Sequence, residues 1–326
     1  MRVHPMWEAY PELKADLSAV LELIDSHIRV HDSAIERRIK DMIRSSGKML
    51  RPAYSLLCSK IGPERNRSRA LAVAAALECL HMATLVHDDV IDQSDTRHGR
   101  PAVHTLYGNK IAVYTGDYLF SLSFSLLARH ASSLPHLRVD GIPADRILAG
   151  ELEQLHAEFK PPSSIKNYLS QISGKTAQLF AISCYSGAME SRSSSFYANR
   201  AYNMGHDIGM AFQIIDDILD YQGNRDRMGK PVMSDLRRGI YTLPVIYTFK
   251  TEPKTMRPLL EKRAHLTDQE IDTILDCIHR CRGIERAREL AKKYTRKALQ
   301  ELDQLPEGKN KATLRKLTLA LLERNR

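Results

Sequence analysis

Apolar residues recur at helical spacing along most of the chain, whereas no stretch of clean two-residue alternation is long enough to define a sheet. The last quarter shows the pattern well, with apolar side chains on one helical face at Ile284, Ala287, Ala291, Tyr294, Ala298 and Leu302. Aromatic residues make up only 6% of the chain, with a single Trp, which is unlike β-sandwiches and barrels rich in aromatic pairs. The sequence therefore predicts an all-α protein.

The chain has 326 residues, of which 43% are apolar and 27% charged, and this composition excludes a disordered protein. A mean hydropathy of −0.35 excludes a multispan membrane protein. The most apolar run, residues 71–86, contains Glu78 and His81 and is shorter than the ~20 residues that span a bilayer, so we interpret it as a buried helix. Because the Gly and Pro clusters are short, one helical domain over residues 1–326 is the simplest interpretation.

The charge is uneven, with a net charge of +9 and with 19 basic against 12 acidic residues in 250–326. A basic balance suits nucleic acid, a membrane surface or a small polyanion such as a phosphate ester. No recognition motif for nucleic acid accompanies these charges, so we expect no nucleic-acid partner and at most peripheral membrane contact. The five cysteines are scattered and odd in number, which favours the cytoplasm over a disulfide-bonded secreted protein.

One acidic pattern, Asp-Asp-x-x-Asp, occurs twice, and each copy ends an apolar helical run. The two copies supply six carboxylates, at Asp88, Asp89 and Asp92 and at Asp216, Asp217 and Asp220. On an α-helix the first and fifth positions of the pattern lie about 40° apart around the axis, so the outer carboxylates of each copy point the same way.

Like charges one turn apart destabilise a helix, and the helix dipole disfavours anions at its C-terminal end. Mg²⁺ would compensate, because it prefers carboxylate oxygen and water and leaves coordination positions for substrate phosphates. One such triplet could be a solvated acidic face, but two identical copies after apolar runs favour metal sites. A phosphate site also needs fixed cations, and short basic clusters outside the acidic helices contain Lys48, Arg51, Arg97, Lys175 and Lys230.

These residues resemble the motifs of the trans-isoprenyl diphosphate synthases, also called the polyprenyl synthetase family, over nearly the whole chain. The resemblance rests on ordered blocks of sequence at residues 47–52, 78–92, 96–101, 116–118, 175–177, 212–220 and 229–231, the last followed by Asp235. It implies a homodimeric all-α fold with helices surrounding a central cavity and the two aspartate motifs facing each other across its mouth. It also implies a transferase that condenses isopentenyl diphosphate with an allylic diphosphate, using about three Mg²⁺ ions per active site.

The resemblance further implies a role for each matching residue. Principal Mg²⁺ ligands would be Asp88, Asp92 and Asp216, with Asp89, Asp217 and Asp220 as further ligands or groups behind them. The allylic diphosphate would be bound by Arg97, Lys175, Thr176, Gln213 and Lys230. Isopentenyl diphosphate would be bound by Lys48, Arg51, His81 and, where the family commonly has a second Arg, His98.

Product length in this family depends on the side chains four and five positions before the first Asp. These positions hold Thr84 and Ala83, both small, so the growing chain can pass at least one further helical turn, ~5.4 Å. We expect an all-trans product of geranylgeranyl length or longer, similar to those of bacterial geranylgeranyl to heptaprenyl diphosphate synthases.

Other functions stay open at this stage. The chain could be a catalytic subunit that needs a second, different subunit, or a class I terpene cyclase, which shares the first motif but normally carries a different second one. A metal phosphohydrolase would leave residues 216–220 unexplained. A catalytically silent subunit would be expected to lose aspartates, and this chain keeps all six.

Overall fold

The computed structural model describes residues 3–44, 47–97, 100–130, 150, 152, 158–160, 162, 164–222 and 233–322. Most of these residues are helical, which confirms the predicted fold class. The α-helices are α1 (Pro11–His27), α2 (Ser33–Arg44), α3 (Leu50–Cys58), α4 (Arg67–Ile91), α5 (Val103–His130), α6 (Ile165–Ile172), α7 (Gln178–Glu190), α8 (Ser195–Gln222), α9 (Ser234–Arg237), α10 (Leu243–Thr251), α11 (Pro253–Leu260), α12 (Asp268–Arg280), α13 (Gly283–Asp303) and α14 (Lys309–Leu322).

The remaining regular elements are short. Two-residue strands β1 (Thr96–Arg97) and β2 (Arg100–Pro101) pair antiparallel just after α4. Segments Pro5–Ala9 and Arg263–His265 are 3₁₀ turns, and Ser173–Ala177 forms a π-turn between α6 and α7.

The chain divides into two compact units, each assembled from several segments. The first contains Met1–Gly141, Ile182–Tyr202 and Leu305–Lys311, and the second contains Ile142–Ala181, Asn203–Gln304 and Ala312–Arg326. Helices α7, α8 and α14 each contribute residues to both units. That the whole chain is one domain stays a prediction.

Helix α4 is central to the first unit and packs against α1, α3 and α5. It begins where the Asn66 side chain accepts a hydrogen bond from the Arg69 N–H, and its Ala-rich middle is almost completely buried. Small side chains let neighbouring helices approach closely, as where Ser123 of α5 donates to the Ala76 carbonyl at 2.8 Å. A Cβ on Gly187 of α7 would lie 2.1 Å from the Ser55 carbonyl oxygen of α3, so only glycine fits there.

By length and composition alone, α4 and the Val103–Arg129 part of α5 could each cross a membrane. In the most apolar stretch of α4, 67% is buried inside the protein, against 44% in α5. Burial against three other helices accounts for the apolar composition of α4, which confirms the buried helix predicted for residues 71–86.

The second unit contains α10 packed against α11, α12 and α13. Thr267 and Glu270 form a reciprocal capping box at the start of α12, which satisfies N–H groups that the helix itself leaves without partners. The carboxyl half of α8 also belongs to this unit, with Ile208, Ala211 and Ile214 fully buried. This burial holds the second aspartate motif on a rigid helix.

Candidate active site

The first aspartate motif lies where α4 ends. Asp88 and Asp89 are in the last turn of the helix, and the Asp92 N–H donates to the Asp88 carbonyl at 2.7 Å, so Asp92 still follows helical geometry. The carboxylates of Asp88 and Asp92 are partly exposed, whereas Asp89 is buried at 5% exposure. The outer two carboxylates therefore form the accessible pair that the spacing predicts.

Arg97 explains how Asp89 tolerates burial. From strand β1, its Nε and Nη2 both donate to Asp89 Oδ1, at 3.0 and 2.5 Å. Removing a buried carboxylate from water is costly unless it is paired and hydrogen-bonded. Arg97, which the family resemblance assigns to the allylic diphosphate, thus also anchors the loop after α4 to the first motif.

Two residues assigned to isopentenyl diphosphate are brought together in the same unit. Arg51, in the first turn of α3, donates from Nη1 to His81 Nε2 of α4 at 3.0 Å. Because arginine has only donors, His81 accepts through an unprotonated Nε2 in this arrangement. Burial lowers the pKa of Arg51 to about 10, opposed by the nearby Glu78 carboxylate.

The side chain of Lys48 is exposed, and the segment that carries it, just before α3, is held by a hydrogen bond from the N-terminal part of the chain. Its backbone carbonyl accepts a 2.8 Å hydrogen bond from the indole N–H of the buried Trp7. The next residue, Met49, has a φ of 50°, a left-handed conformation that turns the chain into α3. His98 and Lys230, which are also predicted to bind diphosphate, lie outside the described residues.

The two positions assigned to product length lie on α4, one turn before the first motif. Ala83 is completely buried, and the partly buried Thr84 donates its hydroxyl to the His81 carbonyl at 2.7 Å. Further from the motif on the same helix, Ala76 and Cys79 are also buried and small. This face of α4 therefore carries no bulky side chain at these positions.

The second motif, on α8, repeats the division of roles seen in the first. Asp216 is exposed and Asp220 partly exposed, whereas Asp217 is buried at 4% exposure. Both Asp217 oxygens accept hydrogen bonds, one from the Tyr168 hydroxyl at 2.5 Å and one from Gln213 Nε2 at 2.8 Å. Burial raises the pKa of Asp217 well above its usual range, and nearby Asp235 adds to the rise, while both hydrogen bonds oppose it.

The hydrogen bonds of Asp217 continue to the π-turn. Thr176 donates its hydroxyl to Gln213 Oε1 at 2.7 Å, so Thr176, Gln213 and Asp217 form one chain of hydrogen bonds. Lys175, the neighbouring residue, is partly buried, and its positive charge acts to lower the pKa of Asp235. The second unit thus brings together Lys175, Thr176 and Gln213, the described residues of this unit that are assigned to the allylic diphosphate.

Two further residues of this site were missed as functional residues. Tyr168 supports Asp217 as described above, and burial followed by Asp217 raises its own pKa. Asp235 lies beside the second motif, where its N–H donates to Asp220 Oδ2 at 3.4 Å, and burial and Asp220 raise its pKa to about 6. The only sequence signal for Asp235 was its place four residues after the 229–231 block, and Tyr168 had none.

The donor set fits Mg²⁺ although, in the described part of the chain, no three His, Cys, Asp or Glu side chains cluster tightly enough to enclose a metal ion. Mg²⁺ usually keeps several waters and binds proteins through one or two carboxylates together with substrate phosphates. A pair of carboxylates one helical turn apart, with the middle carboxylate already engaged, matches that requirement in both motifs.

Comparison with known proteins identifies the family of this chain. The family model for polyprenyl synthetase matches residues 32–278. Heptaprenyl diphosphate synthase component 2 of Geobacillus stearothermophilus is 36% identical over 317 residues, which is 97% of this chain and 98% of that relative.

Two solved structures share the fold over nearly the full length. Geranylgeranyl pyrophosphate synthase from Lactobacillus brevis has a TM-score of 0.92 at 36% identity and covers 98% of this chain and 99% of its own. A Caulobacter crescentus polyprenyl synthase complexed with calcium and isoprenyl diphosphate has a TM-score of 0.89 at 28% identity, covering 97% of both chains. The chain therefore belongs to the polyprenyl synthetase family and is a prenyl chain-elongating transferase.

Proposed function

We propose that this transferase condenses isopentenyl diphosphate with an allylic diphosphate in a Mg²⁺-dependent reaction, giving an all-trans product of geranylgeranyl length or longer. The observation that carries the proposal is the repeated arrangement of two accessible carboxylates, Asp88 with Asp92 and Asp216 with Asp220, around a buried and bonded middle aspartate. The Caulobacter structure supports metal use, because calcium and magnesium share a preference for oxygen ligands.

The reaction requires that a diphosphate leaves carbon, and negative charge develops on it as the bond breaks. Asp88 with Asp92, and Asp216 with Asp220, would each hold Mg²⁺, and bound Mg²⁺ would supply positive charge for a departing diphosphate. Lys175 and Arg97 add N–H donors, which stabilise the departing diphosphate more than the intact substrate. The small apolar side chains of α4 around Ala83 accept the hydrocarbon tail, and an apolar environment protects the allylic cation from water.

The first test is elongation by the purified chain alone. We expect Mg²⁺-dependent conversion of labelled isopentenyl diphosphate with dimethylallyl, geranyl, farnesyl or geranylgeranyl diphosphate, and none in EDTA. Chain-length analysis would name the product and the preferred primer. Cyclic, diphosphate-free products would instead indicate a terpene cyclase.

A requirement for a second subunit is the alternative, because the Geobacillus relative is named as one component of a synthase. In that case no primer would be elongated by the chain alone, and activity would appear when a partner subunit is added. Retained activity in EDTA would contradict the metal-dependent proposal in either form.

Substituting one outer aspartate in each motif tests the metal ligands. We expect Asp88→Asn and Asp216→Asn each to lower kcat at least about 100-fold, because a site for developing charge is lost. Titration calorimetry with Mg²⁺ and inorganic pyrophosphate should show weaker metal binding in both variants. Asp276→Asn, on the exposed face of α12, is the matched control and should keep wild-type activity. Full activity in either motif variant would remove that aspartate from the proposal.

Product length tests the assignment of Ala83. An aromatic ring at this buried position would obstruct the tail, so Ala83→Phe should shorten the main product by at least about one five-carbon unit. Product analysis by mass spectrometry measures the change, and Ala83→Ser, which adds a single oxygen, should leave the length unchanged. An unshifted product in a folded Ala83→Phe enzyme would show that the floor of the cavity lies elsewhere.

We propose that the active form is a homodimer that uses α5. After a kink at Gly108, this helix exposes large apolar side chains, with Val113 at 41%, Tyr114 at 64% and Phe124 at 62% exposure. Val113 and Phe124 are eleven residues apart and so lie within about 20° of each other around the helix. Apolar patches of this kind mark interfaces between proteins.

Light scattering after size exclusion should give the mass of two chains for the wild type and of one for Val113→Glu/Phe124→Glu. Phe196→Glu, which replaces a 52% exposed aromatic on α8, is the control and should leave the mass unchanged. A monomeric wild type would contradict the dimer.

We further propose a cytoplasmic location with at most peripheral membrane contact, since all five cysteines are free.

A further inference from the structure

The π-turn Ser173–Ala177 carries Lys175 and Thr176 and separates α6 from α7. A π-turn contains one more residue than an α-helical turn, is rare and is frequently found at functional sites. Lys175 stands in the middle of this turn. The contacts that hold the turn therefore decide where the Lys175 ammonium group can reach.

Three residues of α8 contact this turn. His206 Nε2 and the Ser173 hydroxyl share a 2.9 Å hydrogen bond, and Gln213 accepts from Thr176. Gly209 lies between them, where a Cβ would be only 2.5 Å from the Cα of Ala177. Positions 206, 209 and 213 are three and four residues apart, so they lie on one face of α8.

These contacts hold the two ends of the turn separately. Gly209 and Gln213 hold its closing end, at Ala177 and Thr176. His206 holds its opening end, at Ser173. The Asp207 carboxylate lies 3.7 Å from His206 Nδ1, the ring nitrogen that does not meet Ser173.

We propose that His206 is a positioning residue for prenyl transfer, acting through Ser173 to hold the π-turn that presents Lys175 to the allylic diphosphate. This inference rests on the proposed function, in which Lys175 binds that diphosphate. His206 itself touches neither substrate nor metal in this role. Its side chain is 28% exposed, so the ring is not a core residue whose loss would unfold the protein.

The test compares steady-state kinetics of Ser173→Ala, His206→Leu and their double variant. Each single variant removes one intramolecular hydrogen bond and should raise KM for the allylic diphosphate about 3- to 10-fold. KM for isopentenyl diphosphate should stay at the wild-type value. The double variant should be no worse than either single variant, because both remove the same interaction.

Three further variants separate positioning from a general loss of stability. His206→Gln and Ser173→Thr keep a hydrogen-bonding group and should restore most of the allylic KM. Thr248→Val removes a buried hydroxyl that donates to the Pro244 carbonyl at 2.8 Å, elsewhere in the second unit. It should lower the melting temperature without changing the allylic KM.

If the kinetics differ from these expectations, Lys175→Ala shows whether the role of His206 or the role of Lys175 is wrong. If Lys175→Ala raises the allylic KM but Ser173→Ala and His206→Leu do not, the positioning role of His206 is wrong and the role of Lys175 stands. If Lys175→Ala leaves the allylic KM unchanged, the proposed role of Lys175 is wrong, and this inference falls with it. Additive losses in the double variant would also overturn it, since the two residues would then act separately.

Discussion

The rest of this structure depends on one constraint: several carboxylates lie close together at the ends of buried helices. Each motif places three aspartates within about one helical turn, where their charges repel one another. At the C-terminal end of α4, the helix dipole also disfavours these negative charges. A long, tightly packed helix tolerates this cost because its apolar face is buried along most of its length. The apolar core of each unit thus stabilises a charge arrangement that only a bound cation would favour.

Both motifs manage this repulsion in the same way. The middle aspartate, Asp89 or Asp217, is buried and held by neighbouring donors, and the outer two stay accessible. The donors differ, because Arg97 is charged whereas Tyr168 and Gln213 are neutral. Asp89 is therefore paired with a charged guanidinium group, whereas Asp217 lies in surroundings that raise its pKa. The two motifs thus share a sequence pattern, but the electrostatic surroundings of their buried aspartates differ.

Residues proposed to act on substrate were easier to predict than the residues that hold them in place. The spacing of the aspartates alone pointed to a site, and the family resemblance assigned Lys175, Thr176 and Gln213 to it. Tyr168 and His206 reach the site across 49 and 33 residues of chain, through contacts with Asp217 and Ser173. Nothing in the local sequence distinguishes them from other partly apolar side chains, because long-range contacts arise only on folding.

The sequence by itself determined the all-α fold, the family and the two carboxylate pairs, because helical periodicity and motif spacing are local properties of the chain. Only the tertiary structure decided which aspartate of each triplet is buried, that Arg97 and Tyr168 hold them, and that a π-turn carries Lys175. The physical reason is that burial and hydrogen bonding depend on which helices pack together. Close approaches such as that of Gly209 to Ala177 determine which elements pack together, and no single segment of the sequence encodes these approaches.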